Sequence, residues 1–387
     1  MSYGTLALIV AIGLLGPLVA RLPTRVAPPV VIGEIVAGVI FGRTGTCTIV
    51  ATQPTLAFLA DIGFALLMFM VAVSLPLRDA RLRRSVRRGL WATALTIGLA
   101  IALAAVVATV TELHRPGILA VLMASSSAAI VLPIIGTSAD NDDALLVTIA
   151  WVSFADIASV LAVPFVLETG GFGRTLLGAV LILAGAAAMG LVIRRLIELE
   201  PVEALRHASH HLDWALDLRF SLLVLFTLAW IAERFDTSVL LAGFAAGVMV
   251  SLLGKPRRLA DQLIGLGQGF FVPLFFVVLG ARLDLRALVR SRDDLLLFAL
   301  LAIGSTLVRV AVAASLRLPR ASGLLAAATM GVPSAVASLG LATGALRPGQ
   351  AAAIMGAAAL SLLVAFVGAV RVGASPSINP PARDDGG

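Results

Sequence analysis

Asp156 and Arg309 stand near the middle of otherwise apolar runs of membrane-spanning length, WVSFADIASVLAVP and STLVRVAVAAS. A charge at a bilayer centre costs on the order of 2.5–3.5 kcal/mol on insertion scales, so such residues mark an ion path, a proton relay or a pair supporting one. A carboxylate at that depth holds a proton when neutral or a bare cation when charged, and the two compete. Arg309 lies eight residues before Arg317, about 12 Å from that end of its segment at 1.5 Å per residue. Its guanidinium reaches either to that surface or to Asp156, and pairing with Asp156 is the expected arrangement. Arginine is effectively always protonated, so it compensates charge without carrying a transported proton. The plain alternative is a structural ion pair with nothing transported.

Two further stretches carry polar groups at membrane depth. ASSSAAIVLPII holds Ser125, Ser126, Ser127 and Pro133, and MGVPSAVASLG holds Gly331, Pro333, Ser334 and Ser338. Proline removes an N–H and clashes with the preceding turn. In lipid, the backbone freed in this way is tolerated only where it is buried in protein or lines a cavity. Facing half-helix ends coordinate a cation through carbonyls and hydroxyls. Ser126, Ser127 and Ser334 therefore join Asp156 as candidate ligands for an ion or proton, with Pro133 and Pro333 shaping the breaks. An ordinary kink packed by small residues accounts for either break alone. Glu34, in PPVVIGEIVAG, lines a permeation funnel or takes part in a buried hydrogen bond, and both readings stand.

No metal site or cofactor is expected. His207, His210 and His211 cluster in HASHH without a cysteine or close carboxylate and read as solvated interface residues. No phosphate loop, nucleophile elbow or dinucleotide fingerprint is present, so neither an enzyme nor a primary pump finds support.

The elements that must position these residues follow from composition. Of 387 residues 59% are hydrophobic and only 13% charged, against about 25% charged in soluble domains. The pattern is that of an all-α polytopic membrane protein with about thirteen transmembrane helices, each apolar run long enough to cross ~30 Å of hydrocarbon. The net charge of +7 sits in short loops and does not indicate nucleic acid. Cys47, the single cysteine, rules out an intramolecular disulfide. The N-terminus lacks a basic n-region and a cleavage site, so the first span is expected to be retained. Loops after odd-numbered spans, with the C-terminus, hold nineteen Lys and Arg against eight on the other side. The N-terminus is thus expected outside and the C-terminus in the cytoplasm.

The chain also lines up with itself. Val30, Ala37, Gly38 and Val39 match Val239, Ala246, Gly247 and Val248 at an offset of 209, and Leu75, Leu77 and Arg78 match Leu283, Leu285 and Arg286 at 208. The shift is seven spans, an odd number, so the copies face opposite ways, an architecture transporters use around a midplane site. Residues 1–372 are read as one transmembrane unit with inverted repeats at about 1–167 and 218–372. A linker helix at 175–194 and a cytoplasmic amphipathic segment at 195–217 join them, and 373–387 is expected to be a disordered cytoplasmic tail.

These residues resemble a known family. PPVVIGEIVAGVIFGRTG is similar to the opening signature of Kef/Nap-type monovalent cation:proton antiporters, SSSAAIVLP to their unwound crossing helix, FADIASVLAVP to their ion-site helix and FFVPLFFVVLGARLDL to a later signature. The resemblance implies the sodium/proton antiporter fold, with crossed discontinuous helices, a dimerisation domain and a mobile core moving as an elevator. It implies a homodimer in the bacterial plasma (inner) membrane, with Asp156 binding ion or proton and Arg309 as the basic partner. Three positions depart from the pattern: Ala155 precedes Asp156 where Asp, Asn or Gln is usual, Ala128 replaces a threonine, and Arg43 a proline. With one carboxylate and an arginine that keeps its proton, the expectation is electroneutral 1:1 exchange of Na⁺ or K⁺ for H⁺. The alternatives are a degenerate, non-transporting sensor or scaffold and a cation-coupled organic solute symporter.

Overall fold

The computed structural model describes residues 30–51, 53–74, 82–135, 143–167, 172–197, 216–235, 239–253 and 265–372, with scattered positions between 4 and 14. Regular structure among them is helical. The first half runs α1 (Val30–Phe41), α2 (Pro54–Ser74), α3 (Leu82–Val110), α4 (Pro116–Ala124), α5 (Ala128–Ile135), α6 (Asp143–Val166) and α7 (Phe172–Ile197). The second half runs α8 (Leu216–Arg234), α9 (Val239–Leu253), a π-helical turn (Gly267–Phe271) leading into α10 (Val272–Arg282), then α11 (Leu285–Arg290) and α12 (Arg292–Ser315). It closes with α13 (Arg320–Ala326), α14 (Gly331–Ala342) and α15 (Pro348–Val372).

Twelve of the thirteen expected spans fall on these helices or helix pairs. The first span lies mainly outside the described residues, as do His207, His210, His211, most of 195–217 and the tail 373–387. Seven helical stretches among the described residues are long and apolar enough to cross a membrane, and the chain is a multi-pass membrane protein. The physical reason is that hydrocarbon offers no hydrogen-bond partner, so each apolar run must satisfy its own backbone.

Helix ends follow local chemistry. Pro116 opens α4, where its missing N–H costs nothing. Asp284 caps α11 by accepting from the N–H of Ala287 at 2.9 Å. Arg317, at φ 55°, turns the chain out of α12. The N–H of Leu318 then donates to Ala313 O at 2.8 Å and that of Arg317 to Ala314 O at 3.1 Å, the pattern of a left-handed C-terminal stop.

The chain divides into two compact units. The first comprises Met1–Arg78, Val160–Leu295 and Ser334–Ala353. In it α1 packs on α10 and α2 on α9 at backbone contact distance. A Cβ added at Gly38 would collide with the carbonyl of Val277, and one at Gly247 with the carbonyl of Phe69. Gly38 and Gly247 are 209 residues apart, Phe69 and Val277 208, the offsets at which the sequence matches itself. Segment VVIGEIVAG thus grips α10 by the contact with which LLAGFAAGV grips α2. Behind them Leu66, Phe69, Ile182, Leu228 and Leu241 form an apolar core shared by α2, α7, α8 and α9. Glu34 sits in this unit, buried on α1 one turn before Gly38.

The second unit comprises Asp79–Ser159, Leu296–Pro333 and Ile354–Gly387. Gly89 lets α3 approach α6 at Ala150. There Thr93 donates to the carbonyl of Trp151 at 3.2 Å, and Trp151 Nε1 donates to Thr96 Oγ1 at 3.0 Å. Gly323 and Gly368 play the same part for α13 against α12 and for α15 against α13. This unit holds both helix breaks together with Asp156 and Arg309.

Candidate functional site

The breaks lie in the second unit and cross. Between α4 and α5 the chain is extended at Ser125–Ser127, and between α13 and α14 it is non-helical at Ala327–Met330. The N–H of Ser127 donates to Ala328 O at 2.8 Å, Ser126 Oγ donates to Ala326 O at 2.7 Å, and the Ser125 and Thr329 hydroxyls meet at 2.8 Å. From α15, Ser361 Oγ accepts from the N–H of Thr329 at 3.1 Å. Backbone that cannot bond within its own helix is thus satisfied by the opposite break and by hydroxyls, as burial in lipid demands.

The breaks do not sit at the prolines, which corrects the sequence reading. Pro133 is the sixth residue of α5, well past the extended serines. Pro333 is the third residue of α14, in a first turn whose N–H groups have no intrahelical acceptor. The serine run interrupts the first helix, since each Ser offers the backbone an alternative partner.

Asp156, on α6, is 3% exposed. Its Oδ2 accepts from the N–H of Ala128, the first residue of α5, at 3.0 Å. The partial positive charge of a helix N-terminus favours a carboxylate there. Ala128 lacks a hydroxyl, but the contact is made by its backbone, so that departure leaves this bond intact.

Arg309 does not pair with Asp156. Buried to 1% exposure on α12, it donates from Nη1 to Met123 O and to Ser305 O, each at 2.8 Å, and from Nη2 to Ser125 O. The guanidinium closes the C-terminal end of α4, where carbonyls released by the break carry partial negative charge. Its fork of five donors serves three carbonyls at once, which one carboxylate could not match. The expected ion pair is replaced by two separate pairings: carboxylate with the start of one half-helix, guanidinium with the end of the other.

The remaining candidates are placed as follows. Ser126 and Ser127 are in the crossing, the first through its hydroxyl and the second through its N–H. Ser334 is fully buried in the first turn of α14 and belongs to the first unit, as does Glu34. Thr329 and Ser361 were not singled out from the sequence. Only the phrase ATMGVPS hints at Thr329, and Ser361 stands in an unbroken apolar run.

A family model described as "sodium/hydrogen exchanger, transmembrane" matches residues 7–371. The Na⁺/H⁺ antiporter NhaS5 of Synechocystis is 25% identical over 334 residues, 79% of this chain and 46% of that protein. The glutathione-regulated potassium-efflux system protein KefC of Klebsiella pneumoniae is 28% identical over 327 residues, 79% of this chain and 49% of that protein. The chain spans about half the length of the curated relatives it matches. The sodium proton antiporter MjNhaP1 from Methanocaldococcus jannaschii aligns with a TM-score of 0.63 at 16% identity, covering 96% of this chain and 97% of that one; the fold is shared.

Proposed function

Because the chain belongs to the sodium/hydrogen exchanger transmembrane family, we propose that it is a secondary active antiporter exchanging a monovalent cation, Na⁺ or K⁺, for a proton at Asp156. The observation that carries this reading is the state of that carboxylate. It is 3% exposed, and the N–H of Ala128 is its one hydrogen-bond partner. A bare, half-satisfied carboxylate at membrane depth is costly. A proton or a cation removes most of that cost, and the two occupy the same oxygens. The site therefore crosses the membrane loaded with one or the other, which couples their flows.

Arg309 supplies a fixed charge to α4 and takes no part in proton transfer. Each complete cycle then moves one positive charge in each direction, the cation in one half and the proton in the other, giving electroneutral 1:1 exchange by alternating access. We further place the chain as a homodimer in the bacterial inner membrane with the C-terminus cytoplasmic, on the strength of the resemblance and the arginine distribution.

Proteoliposomes test the reading. Adding Na⁺, K⁺ or Li⁺ to acid-loaded vesicles should release protons and saturate with the cation transported. Imposing a membrane potential alone should drive no exchange. A potential-driven signal would overturn electroneutrality. Silence with every cation across pH 6–9 in folded protein would favour a sensor or scaffold, in line with the buried methyl of Ala155 beside Asp156.

A further inference from the structure

Ser153 lies on α6 and takes no part in the interactions described above. It is 6% exposed, and its hydroxyl oxygen is buried without a hydrogen-bond partner. Comparable hydroxyls in the second unit bond to their own helix: Thr93 donates to Gly89 O, Thr96 to Ala92 O, Thr148 to Ala144 O and Ser305 to Ala302 O. A buried polar group left unpaired in a native structure calls for a reason.

Its position supplies one. Ser153 precedes Asp156 by three residues, a spacing that puts two Cβ atoms about 5–6 Å apart on one helix face. The carbonyl of Trp151 faces Thr93 on α3. At 3.6 residues per turn, Ser153 and Asp156 lie about 200° and 140° around α6 from Trp151, so both point away from α3. Asp156 Oδ2 is engaged by Ala128 N, leaving Oδ1 as the oxygen without a donor. An unpaired carboxylate oxygen and an unpaired hydroxyl therefore share a face of α6, and Ala155, between them in the chain, contributes only a buried methyl.

We propose that Ser153 Oγ is a direct ligand of the transported monovalent cation, completing with Asp156 Oδ1 a site that Ala155 cannot serve. The assignment rests on the antiport reading. When Asp156 carries the proton instead, the same Oγ lone pair accepts the carboxyl O–H, so one oxygen answers both occupants. No bond to the helix backbone has to break as the occupants exchange.

The experiment is steady-state exchange in proteoliposomes with Na⁺, K⁺ and Li⁺ for wild type, Ser153→Ala and Ser153→Thr, with the melting temperature of each in detergent. Ser153→Ala should raise the cation KM about tenfold, with the size of the loss differing among the ions. Maximal rate and melting temperature should stay near wild type. Ser153→Thr, which keeps the oxygen, should restore KM. A Ser153→Ala protein with KM within about twofold of wild type for every cation overturns the assignment and leaves antiport standing. One that loses its fold overturns it as well, since an unbonded hydroxyl holds no structure together. A wild-type protein that exchanges no cation overturns the antiport reading and this assignment with it.

Discussion

The N–H of Ala128 donates to Asp156 Oδ2 over 3.0 Å, so the carboxylate on α6 is held by the backbone of a broken helix and not by an arginine. Arg309 is equally buried and engages the other half of the same interrupted segment, through Met123 O and Ser125 O. A single helix break thus offers a positive end to the acid and a negative end to the base. On the proposed antiport reading, Asp156 would exchange a proton for a cation without Arg309 moving.

Asp156→Asn should abolish cation-driven proton release while leaving the protein folded. The Asn side-chain oxygen still accepts from Ala128 N, but the residue neither titrates nor brings charge to a cation. Dequenching in proteoliposomes measures the loss, and a melting temperature near wild type confirms the fold. Full transport by this variant would exclude Asp156 as the exchange site.

The pH dependence has a definite sign. If protons and cations compete for one carboxylate, as proposed, lowering pH removes the cation-binding form. On the acid limb the apparent cation KM should rise about tenfold per pH unit, equivalent to ~1.4 kcal/mol, with little change in maximal rate at saturating cation. At higher pH the KM should level off. A KM independent of pH would contradict shared occupancy.

Arg309→Ala should be among the most destabilising substitutions in the second unit, because the carbonyls of Met123 and Ser125 at the break lose their guanidinium donor together, while Ser305 O keeps the backbone bond of its own helix. At about 1–3 kcal/mol for each of the two buried acceptors left unpaired, a loss of at least ~2 kcal/mol is expected. Arg309→Lys should recover only part, since an ammonium lacks the planar fork. Detergent melting curves compare the three proteins. An Ala variant as stable as wild type would show that these carbonyls find other partners.

Gly38→Val and Gly247→Val should damage the first unit alike, because each side chain would drive into a carbonyl of the facing helix, Val277 and Phe69 respectively. Overpacking of this kind costs ~1–3 kcal/mol. Similar losses of stability from two sites 209 residues apart would reflect the equivalence of the two contacts. If only one substitution were harmful, the α1–α10 and α2–α9 packings would not be energetically alike.

Much of this molecule is legible without coordinates. Apolar runs of spanning length admit little but helices, because hydrocarbon satisfies no backbone group. The depth of Asp156 and Arg309 within those runs is a matter of counting, and the offsets near 209 anticipate the matching grips of Gly38 and Gly247. Which group answers which charge was decided only by the tertiary structure. Sequence reasoning pairs Asp156 with Arg309 because it sees only side chains of opposite sign. Their partners in the fold are a backbone N–H at Ala128 and backbone carbonyls at Met123, Ser125 and Ser305. Every residue carries such a carbonyl and nearly every residue such an N–H, so neither leaves a mark in the sequence. They become ligands only where a helix is interrupted and a second interrupted helix crosses it.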